Sequence, residues 1–251
     1  PASTLAPTQT PQPIPTPTAT PNPKPTLIPN QTLDVEVEND LAQLLIHKLC
    51  AQCNLNGADL SEADLSWSQL TLANLTDANL TDANLTEATL QVANLNGANL
   101  TNADLLSADL TGANLRSADL TRANLTRSKL EGAYLDKGDL TEANLRYARL
   151  TGASLRYAYL VGVDLTAAGL TEADLEGAYL NEADLTRARL QYAILSGADL
   201  TGANLTGANL SSAILSGANL NKANLFGANL DGVIGADVTG AFNVPNKFLK
   251  D

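Results

Sequence analysis

Leucine recurs at every fifth position from Leu55 to Leu230 without exception, 36 times in all. Two positions before each leucine stands a small residue, which is alanine in 31 of the 36 units. Asn or Asp most often separates the two, Thr or Ser follows the leucine, and a variable residue that is often Gly completes the unit. A short repeat this strict determines the architecture of the chain before any other feature is considered.

A period of five residues fits neither regular secondary structure. On an α-helix, successive leucines would lie roughly 140° apart and spiral around the whole surface. In a strand, an odd spacing would place successive leucines on opposite faces. One buried column therefore requires the chain to turn a corner in every unit, with the alanine and leucine inward and the residue between them outward. Gly at the variable position and short polar side chains suit such corners. The repeat predicts a solenoid.

The outward positions indicate how many sides each coil has, because similar residues recur at a spacing of 20. Such stacking is expected when each coil lies directly over the previous one in parallel register. The pattern appears in Tyr159 and Tyr179, in Ile194 and Ile214, in Gly112, Gly132 and Gly152, and with alternating charge in Arg116, Asp136, Arg156 and Glu176. Four sides of five residues then form one coil, and residues 53–232 form about nine coils in a rod about 43 Å long.

These units resemble those of the pentapeptide repeat protein family, which contain Ala, then Asp or Asn, then Leu, followed by two variable positions. Ala203-Asn204-Leu205-Thr206-Gly207 is a typical unit of this chain. The resemblance covers residues 53–232 without a gap. It implies an all-β fold, a right-handed quadrilateral β-helix whose interior is filled by the leucine and the small residue. The chain departs from much of the family because the position held by the repeated leucine, from 55 to 230, is never occupied by Phe.

The formal net charge of −12 bears on the choice of ligand. It disfavours direct binding of nucleic acids and of anionic membranes. The resemblance adds one alternative, because the best understood members of the family protect or inhibit DNA gyrase by imitating DNA. In this chain, however, Asp alternates freely with Asn before the leucines, and Arg and Lys are interspersed along the rod. An acidic surface that keeps an exposed β structure soluble explains this distribution more simply than DNA mimicry.

The segments before the rod are predicted to be a linker over 1–38 and a capping segment over 39–52. Residues 1–30 hold ten of the eleven prolines, which is typical of an extended polyproline spacer. A spacer implies a further segment before Pro1, so we expect this chain to be the C-terminal part of a larger protein. Residues 39–51 have apolar residues at helical spacing and a capping box at Asp40 and Gln43. A helix here would cover the open end of the solenoid.

Cys50 and Cys53 form the only C-x-x-C motif of the chain. Such a motif could support redox chemistry, or it could form half of a zinc site with His47 as a third ligand. No second cysteine pair supports either function. Cys53 also occupies an inward position of the repeat, which gives it a structural reason to be small. We favour buried thiols or a disulfide that fastens the cap. An oxidised pair would favour a periplasmic or lumenal location. The choice between the cytoplasm and the periplasm or thylakoid lumen depends on the segment expected before Pro1.

The best candidate for a binding site is a cluster of outward aromatic and cationic residues in the second half of the rod. Tyr and Arg are enriched at binding hot spots because they cover apolar area and also form hydrogen bonds. Ladder stacking on a solvated face explains the same residues without a partner. The predicted interaction patch comprises Tyr134, Arg146, Tyr147, Arg149, Arg156, Tyr157, Tyr159 and Tyr179.

The repeat ends after Leu230, and residues 233–251 are predicted to be a C-terminal cap or tail. Val233 keeps the inward position, but Gly235 stands where the next leucine is expected. The family resemblance implies that a homodimer would form through this end. No apolar run is long enough to span a membrane.

The sequence as a whole favours a noncatalytic scaffold that binds an unidentified protein partner. A DNA-mimicking inhibitor of gyrase and an accessory domain of an enzyme encoded upstream are the alternatives. No catalytic residue, metal site or cofactor site is predicted, because each Asp and Glu is explained by its place in the repeat.

Overall fold

The computed structural model describes residues 35–248, so most of the predicted 1–38 linker lies outside the described residues. The chain begins with one α-helix, α1, over Val35–His47. A long series of isolated parallel β-bridges follows, and a short 3₁₀ helix over Asn246–Phe248 ends the described part. No helix among residues 35–248 is both long and apolar enough to cross a membrane.

The bridges show the register of the rod. From Leu49 to Ile234, each bridge joins residues 20 positions apart in parallel orientation. They form four columns, which define four sides of the coil. Side 1 runs from Asn54 to Ile234, side 2 from Asp59 to Asn219, side 3 from Asp64 to Asn224 and side 4 from Leu49 to Asn229. The chain passes through the sides in this order, so sides 1 and 3 lie opposite each other, as do sides 2 and 4.

Each side is too short to form a regular strand, and one bridge per coil is all that fits between two corners. On side 4, the Leu150 amide donates to the Gly169 carbonyl in the next coil at 2.7 Å. The Arg149 amide donates to the Ser128 carbonyl in the previous coil at 3.0 Å. Each coil is thereby bonded to the coils on both sides of it.

The corners are tight turns that repeat in every unit. In the turn after Leu150, the Ala153 amide donates to the Leu150 carbonyl at 3.0 Å. The second turn residue has a positive φ, which is the requirement of a type II turn. This holds for Gly152, with φ of 65°, and equally for Tyr147, with φ of 58°. The sequence suggested Gly for backbone freedom, but the left-handed conformation here belongs to the position and not to one residue type.

The Asn or Asp before each leucine connects a corner to the neighbouring coil. The Asn79 side-chain oxygen accepts the Thr81 amide at 3.2 Å and the Thr81 hydroxyl at 2.7 Å. Its amide group donates to the Asp59 carboxylate in the previous coil at 3.0 Å. Short side chains that bond the backbone two residues on stabilise turns, and here they also form a ladder along the rod.

The interior is formed by the predicted leucines and small residues. None of the 36 leucines that stand at every fifth position from Leu55 to Leu230 exposes more than 2% of its surface. Burial of one leucine side chain contributes roughly 1.5–3 kcal/mol before its entropy is subtracted. Ser68 and Ser128 stand in the same inward column and are fully buried, and their hydroxyl groups have no hydrogen-bond partner.

The helix lies earlier in the chain than the predicted range of 39–51. Lys48, which follows the last residue of α1, has a φ of 58°, and Leu49 already belongs to side 4 through its bridge to Gln69. Asp40 therefore lies inside the helix and not in a capping box, and its carboxylate accepts the Asn54 amide at 2.7 Å. This bond joins α1 to the first coil.

The apolar face of α1 packs onto the same core as the leucines of the rod. Val37, Leu41 and Leu44 are buried in the core cluster that contains Leu55, and Leu45 is partly buried against it.

The C-terminal segment forms an irregular partial coil over the last regular one. Phe242 bridges to Asn224 at a spacing of 18 residues, and its amide donates to the Ala223 carbonyl at 2.8 Å. Val238, Val244 and Phe248 are partly buried against the core. The homodimer through this end stays a prediction.

The two unsatisfied serines lead to a testable expectation. Because a buried hydroxyl without a partner is unfavourable, Ser128→Ala should raise the free energy of unfolding by about 1 kcal/mol. The matched change in the next coil, Ala148→Ser, should lower it by a similar amount. Urea denaturation of both variants followed by circular dichroism measures the difference, and a destabilised Ser128→Ala protein would contradict the assignment.

Candidate interaction surfaces

The structure separates the eight residues of the predicted patch. Tyr134 lies on side 1, Tyr159 and Tyr179 lie on side 2, and Arg156 and Tyr157 form part of the corner between these sides. The other three are on the opposite half of the coil: Arg149 lies on side 4, and Arg146 and Tyr147 lie at the corner between sides 3 and 4. The predicted residues therefore belong to two surfaces that face away from each other.

The first group, here called the tyrosine surface, consists of Tyr134, Arg156, Tyr157, Tyr159 and Tyr179. Tyr159 and Tyr179 occupy successive coils, and their rings are stacked with centroids 5.0 Å apart and planes at 8°. The spacing of the coils, about 4.8 Å, brings the rings to this distance without distortion. Each of the four tyrosines still exposes 42–47% of its surface.

Ion pairs hold the cations of this region beside the rings. The Arg156 guanidinium contacts Asp174 at 3.0 Å and Glu176 at 2.7 Å, and lies 5.9 Å from the centre of the Tyr157 ring. Its hydrogen bond to Asp174 raises the pKa of the guanidinium, which stays charged. Two coils before Arg156, at the corner between sides 1 and 2, Arg116 lies 4.2 Å from the centre of the Tyr134 ring.

The Tyr157 ring packs against a glycine of the next coil. Gly177 has φ of 65°, and a Cβ atom built on it would lie 2.5 Å from Tyr157 Cε1. The ring therefore covers the bare backbone of the next coil. No signal in the five-residue pattern indicates this contact, because Gly is common at the same corner position elsewhere.

The second group is larger than the sequence predicted. Seven residues form what is called below the arginine surface, on side 4 and the corner between sides 3 and 4: Arg127, Lys129, Arg146, Tyr147, Arg149, Arg187 and Arg189. Four of them were not assigned to the predicted patch. The spacing of 20 residues was sufficient to find them, since Lys129, Arg149 and Arg189 share one column.

Several cations of the arginine surface are paired with carboxylates at its margin. Arg146 contacts Asp164 at 3.1 Å, and Arg149 contacts Glu131 at 2.5 Å. Burial opposes ionisation of Asp164, but hydrogen bonds from Thr166 and Arg146 outweigh it and hold the pKa of this carboxyl below its usual range.

The two cysteines lie where α1 meets the first coil. Their sulfur atoms are bonded to each other, and their Cα atoms are 5.2 Å apart. Cys50 is buried and Cys53 half-buried. His47 ends α1, and no group of three metal-binding side chains occurs among residues 35–248.

Comparison with known proteins matches the chain to one family. The family model for pentapeptide repeats matches eight copies of the repeat between residues 49 and 241. Among curated proteins, no sequence matches this chain.

Several solved structures resemble this chain. HetL, a pentapeptide repeat protein involved in heterocyst differentiation regulation from the cyanobacterium Nostoc sp. strain PCC 7120, is 40% identical. The match covers 76% of this chain and 89% of HetL, with a TM-score of 0.44. QnrB1, a plasmid-mediated fluoroquinolone resistance protein, is 22% identical over 60% of this chain and 88% of its own, with a TM-score of 0.33. A pentapeptide repeat protein from the Arabidopsis thaliana thylakoid lumen is 29% identical over 54% of this chain and 70% of its own, with a TM-score of 0.20.

The contact between Gly177 and Tyr157 can be tested with a matched glycine. Gly152 also has φ of 65°, but a Cβ atom there would meet nothing within 4 Å. Gly152→Ala should lower the free energy of unfolding by about 1 kcal/mol, because only the backbone conformation becomes unfavourable. Gly177→Ala should lower it by about 2 kcal/mol, because the new methyl group also displaces the ring.

A double-mutant cycle identifies the cause of the excess. In a Tyr157→Ser background, the two glycine substitutions should become equally costly. An excess that persists without the ring, or equal losses in the parent protein, would show that Tyr157 does not pack on Gly177.

Proposed function

We propose that this chain, which belongs to the pentapeptide repeat family and shares its right-handed β-helix fold, is a noncatalytic module that binds a partner protein through the tyrosine surface. The partner is a protein because the exposed groups are of the kind found in protein interfaces. Aromatic rings supply apolar area, and their hydroxyl groups and the neighbouring guanidinium supply hydrogen bonds at the rim.

The observation that carries the proposal is the stacked pair of Tyr159 and Tyr179 with Tyr157 and Tyr134 beside it. Four rings lie on two adjacent sides of the rod and are each more than two fifths exposed. The leucines fill the interior, so these exposed rings are not needed for its packing. Exposed apolar area of this extent is typical of a binding surface.

Rigidity of the surface supports the same proposal. Each tyrosine is attached to backbone that is hydrogen-bonded to neighbouring coils, as in the bond of 2.8 Å from the Leu160 amide to the Tyr179 carbonyl. The stack and the contact with Gly177 also restrict the rings before any partner arrives. Binding then loses little side-chain entropy, which favours affinity.

The electrostatics of the carboxylates support a noncatalytic role. A general acid near neutral pH needs a raised carboxyl pKa. Among the described residues, every aspartate whose pKa is shifted has a lowered pKa. In Asp199, burial opposes ionisation, but bonds from Thr201, Asn181 and Asn219 prevail and lower the pKa. Asp64, Asp109 and Asp164 are shifted in the same direction.

The experiment uses the whole chain as bait in an extract of its host, followed by identification and purification of the captured protein. Tyr159→Ser with Tyr179→Ser should weaken binding to the purified partner by about tenfold or more, since hot-spot residues contribute at least 2 kcal/mol. The circular dichroism spectrum should not change, because both side chains point outward.

The control substitutes an exposed tyrosine elsewhere on the rod. Tyr192 lies at the corner between sides 4 and 1 and is 61% exposed, and Tyr192→Ser should leave the affinity unchanged. If both variants bind as the parent does, the tyrosine surface is not the binding site.

Inhibition of DNA gyrase by DNA mimicry is the alternative, and the distribution of charge weighs against it. A mimic needs continuous negative charge, but cations pair with carboxylates one coil away, as Arg116 does with Asp136 and Arg122 with Glu142. We expect no effect of the purified protein on gyrase supercoiling at micromolar concentration. Inhibition at that concentration would favour mimicry over the proposed function.

A further inference from the structure

The arginines of this chain fall into two classes. Five of the eight form ion pairs: Arg116, Arg122, Arg146, Arg149 and Arg156. The other three, Arg127, Arg187 and Arg189, are exposed, and their guanidinium groups have no ion pair or hydrogen bond with any residue in the described range of 35–248. All three belong to the arginine surface.

Charge is also distributed unevenly around the rod. In the four coils that carry the arginine surface, side 4 and its two corners hold six cationic residues and only two carboxylates, Glu131 and Glu172. This excess of positive charge occurs in a chain whose formal net charge is −12. An acidic rod that keeps one locally basic side attracts negative groups to that side.

One outward position of the same surface has no side chain of its own. Gly169 stands on side 4 between Arg149 and Arg189, and Ala167 stands at the adjacent corner below Arg187. All the other residues that form the bridges from residue 54 to 234 have a side chain. A Cβ atom on Gly169 would lie 2.9 Å from Arg189 Nη2, so the guanidinium of Arg189 rests over bare backbone.

We propose that the arginine surface is a second binding site, which takes a short acidic segment of a partner protein. Its carboxylates would pair with Arg127, Arg187 and Arg189. Guanidinium groups suit this task because they bind carboxylates in a bidentate manner and lose little hydration energy. The site lies opposite the tyrosine surface and does not depend on it.

The size of the surface favours a peptide over a nucleic acid. Lys129 and Arg189 are three coils apart, which is about 14 Å, and an extended peptide covers that length with four or five residues. Nucleic acid carries its phosphates well beyond that length. On the N-terminal flank it would meet Asp109 on side 4 and Glu87 at the corner, in a chain of strongly negative net charge.

Binding of a labelled octapeptide of alternating Glu and Ser to the whole chain tests the proposal by fluorescence anisotropy. A peptide with Gln in place of Glu is the neutral probe. At 150 mM salt, we expect the acidic peptide to bind and the neutral peptide not to. Arg187→Gln with Arg189→Gln should weaken binding by about tenfold, because two charge-assisted contacts are lost.

The matched control removes the same net charge from other sides of the rod. Arg116→Gln with Arg122→Gln changes two arginines that already have carboxylate partners, and it should leave the affinity within about twofold. Tyr159→Ser with Tyr179→Ser should also bind the acidic peptide normally, so a failure of the tyrosine surface and a failure of this site can be distinguished.

The solenoid allows a second test that removes no charge. One neutral unit, Thr-Gly-Ala-Asn-Leu, inserted between Leu175 and Glu176 moves Arg187 and Arg189 to the next side of the rod, away from Arg149. Four such units restore them to side 4, one coil further along. We expect the single insertion to weaken binding as the Arg187→Gln and Arg189→Gln pair does, and the fourfold insertion to retain most of it.

Three outcomes would overturn the proposal. The first is equal binding of the acidic and neutral peptides at 150 mM salt. The second is equal loss of binding in the Arg116/Arg122 and Arg187/Arg189 variants, which would indicate a general effect of charge. The third is tighter binding of a single-stranded oligonucleotide of the same charge through Arg187 and Arg189, which would assign the surface to nucleic acid.

Discussion

The hydrogen-bonded corner after each leucine is the interaction on which the rest of the structure depends. One amide, such as that of Ala153, returns to the carbonyl of the preceding leucine, and the residue before it takes a left-handed conformation. Because the corner recurs every five residues, four leucines point to one axis in each coil. The backbone alone satisfies this geometry, so the two central residues of the corner and the residue before the leucine remain free to carry surface chemistry. Both proposed surfaces consist of residues at these positions.

The sequence predicted the interior and the register because both follow from a strict period. The inward column from Leu55 to Leu230 and the pairing of residues 20 apart are observed as expected. The limits of α1 were wrong because they depend on long-range contacts, namely the bond from Asn54 to Asp40 and the bridge from Leu49 to Gln69. The predicted patch combined residues of two surfaces because the prediction did not assign each outward position to a side of the coil. Tyr147 and Tyr159 are twelve residues apart and lie on different parts of the coil, although they are close in sequence.

If both proposals hold, the rod bridges two partners. The tyrosine surface offers apolar rings on sides 1 and 2, and the arginine surface offers positive charge around side 4. Both lie mainly within residues 127–192, so the same few coils would hold a protein on one side and an acidic segment on the other. Since each coil is bonded to its neighbours, the orientation of the two sites is set by the register and not by a flexible linker. This is the physical basis for describing the chain as a scaffold.

The distance between spin labels at Gln91 and Gln191 tests the central claim most directly. Both residues follow a leucine at the corner between sides 4 and 1 and are 100 positions apart. After substitution by cysteine, only these positions take the label, because Cys50 and Cys53 are bonded to each other. Coils of 20 residues place the labels five coils apart, at about 24 Å. A distance of about 32 Å, the value for coils of 15 residues, would contradict the four-sided register and both surfaces that rest on it.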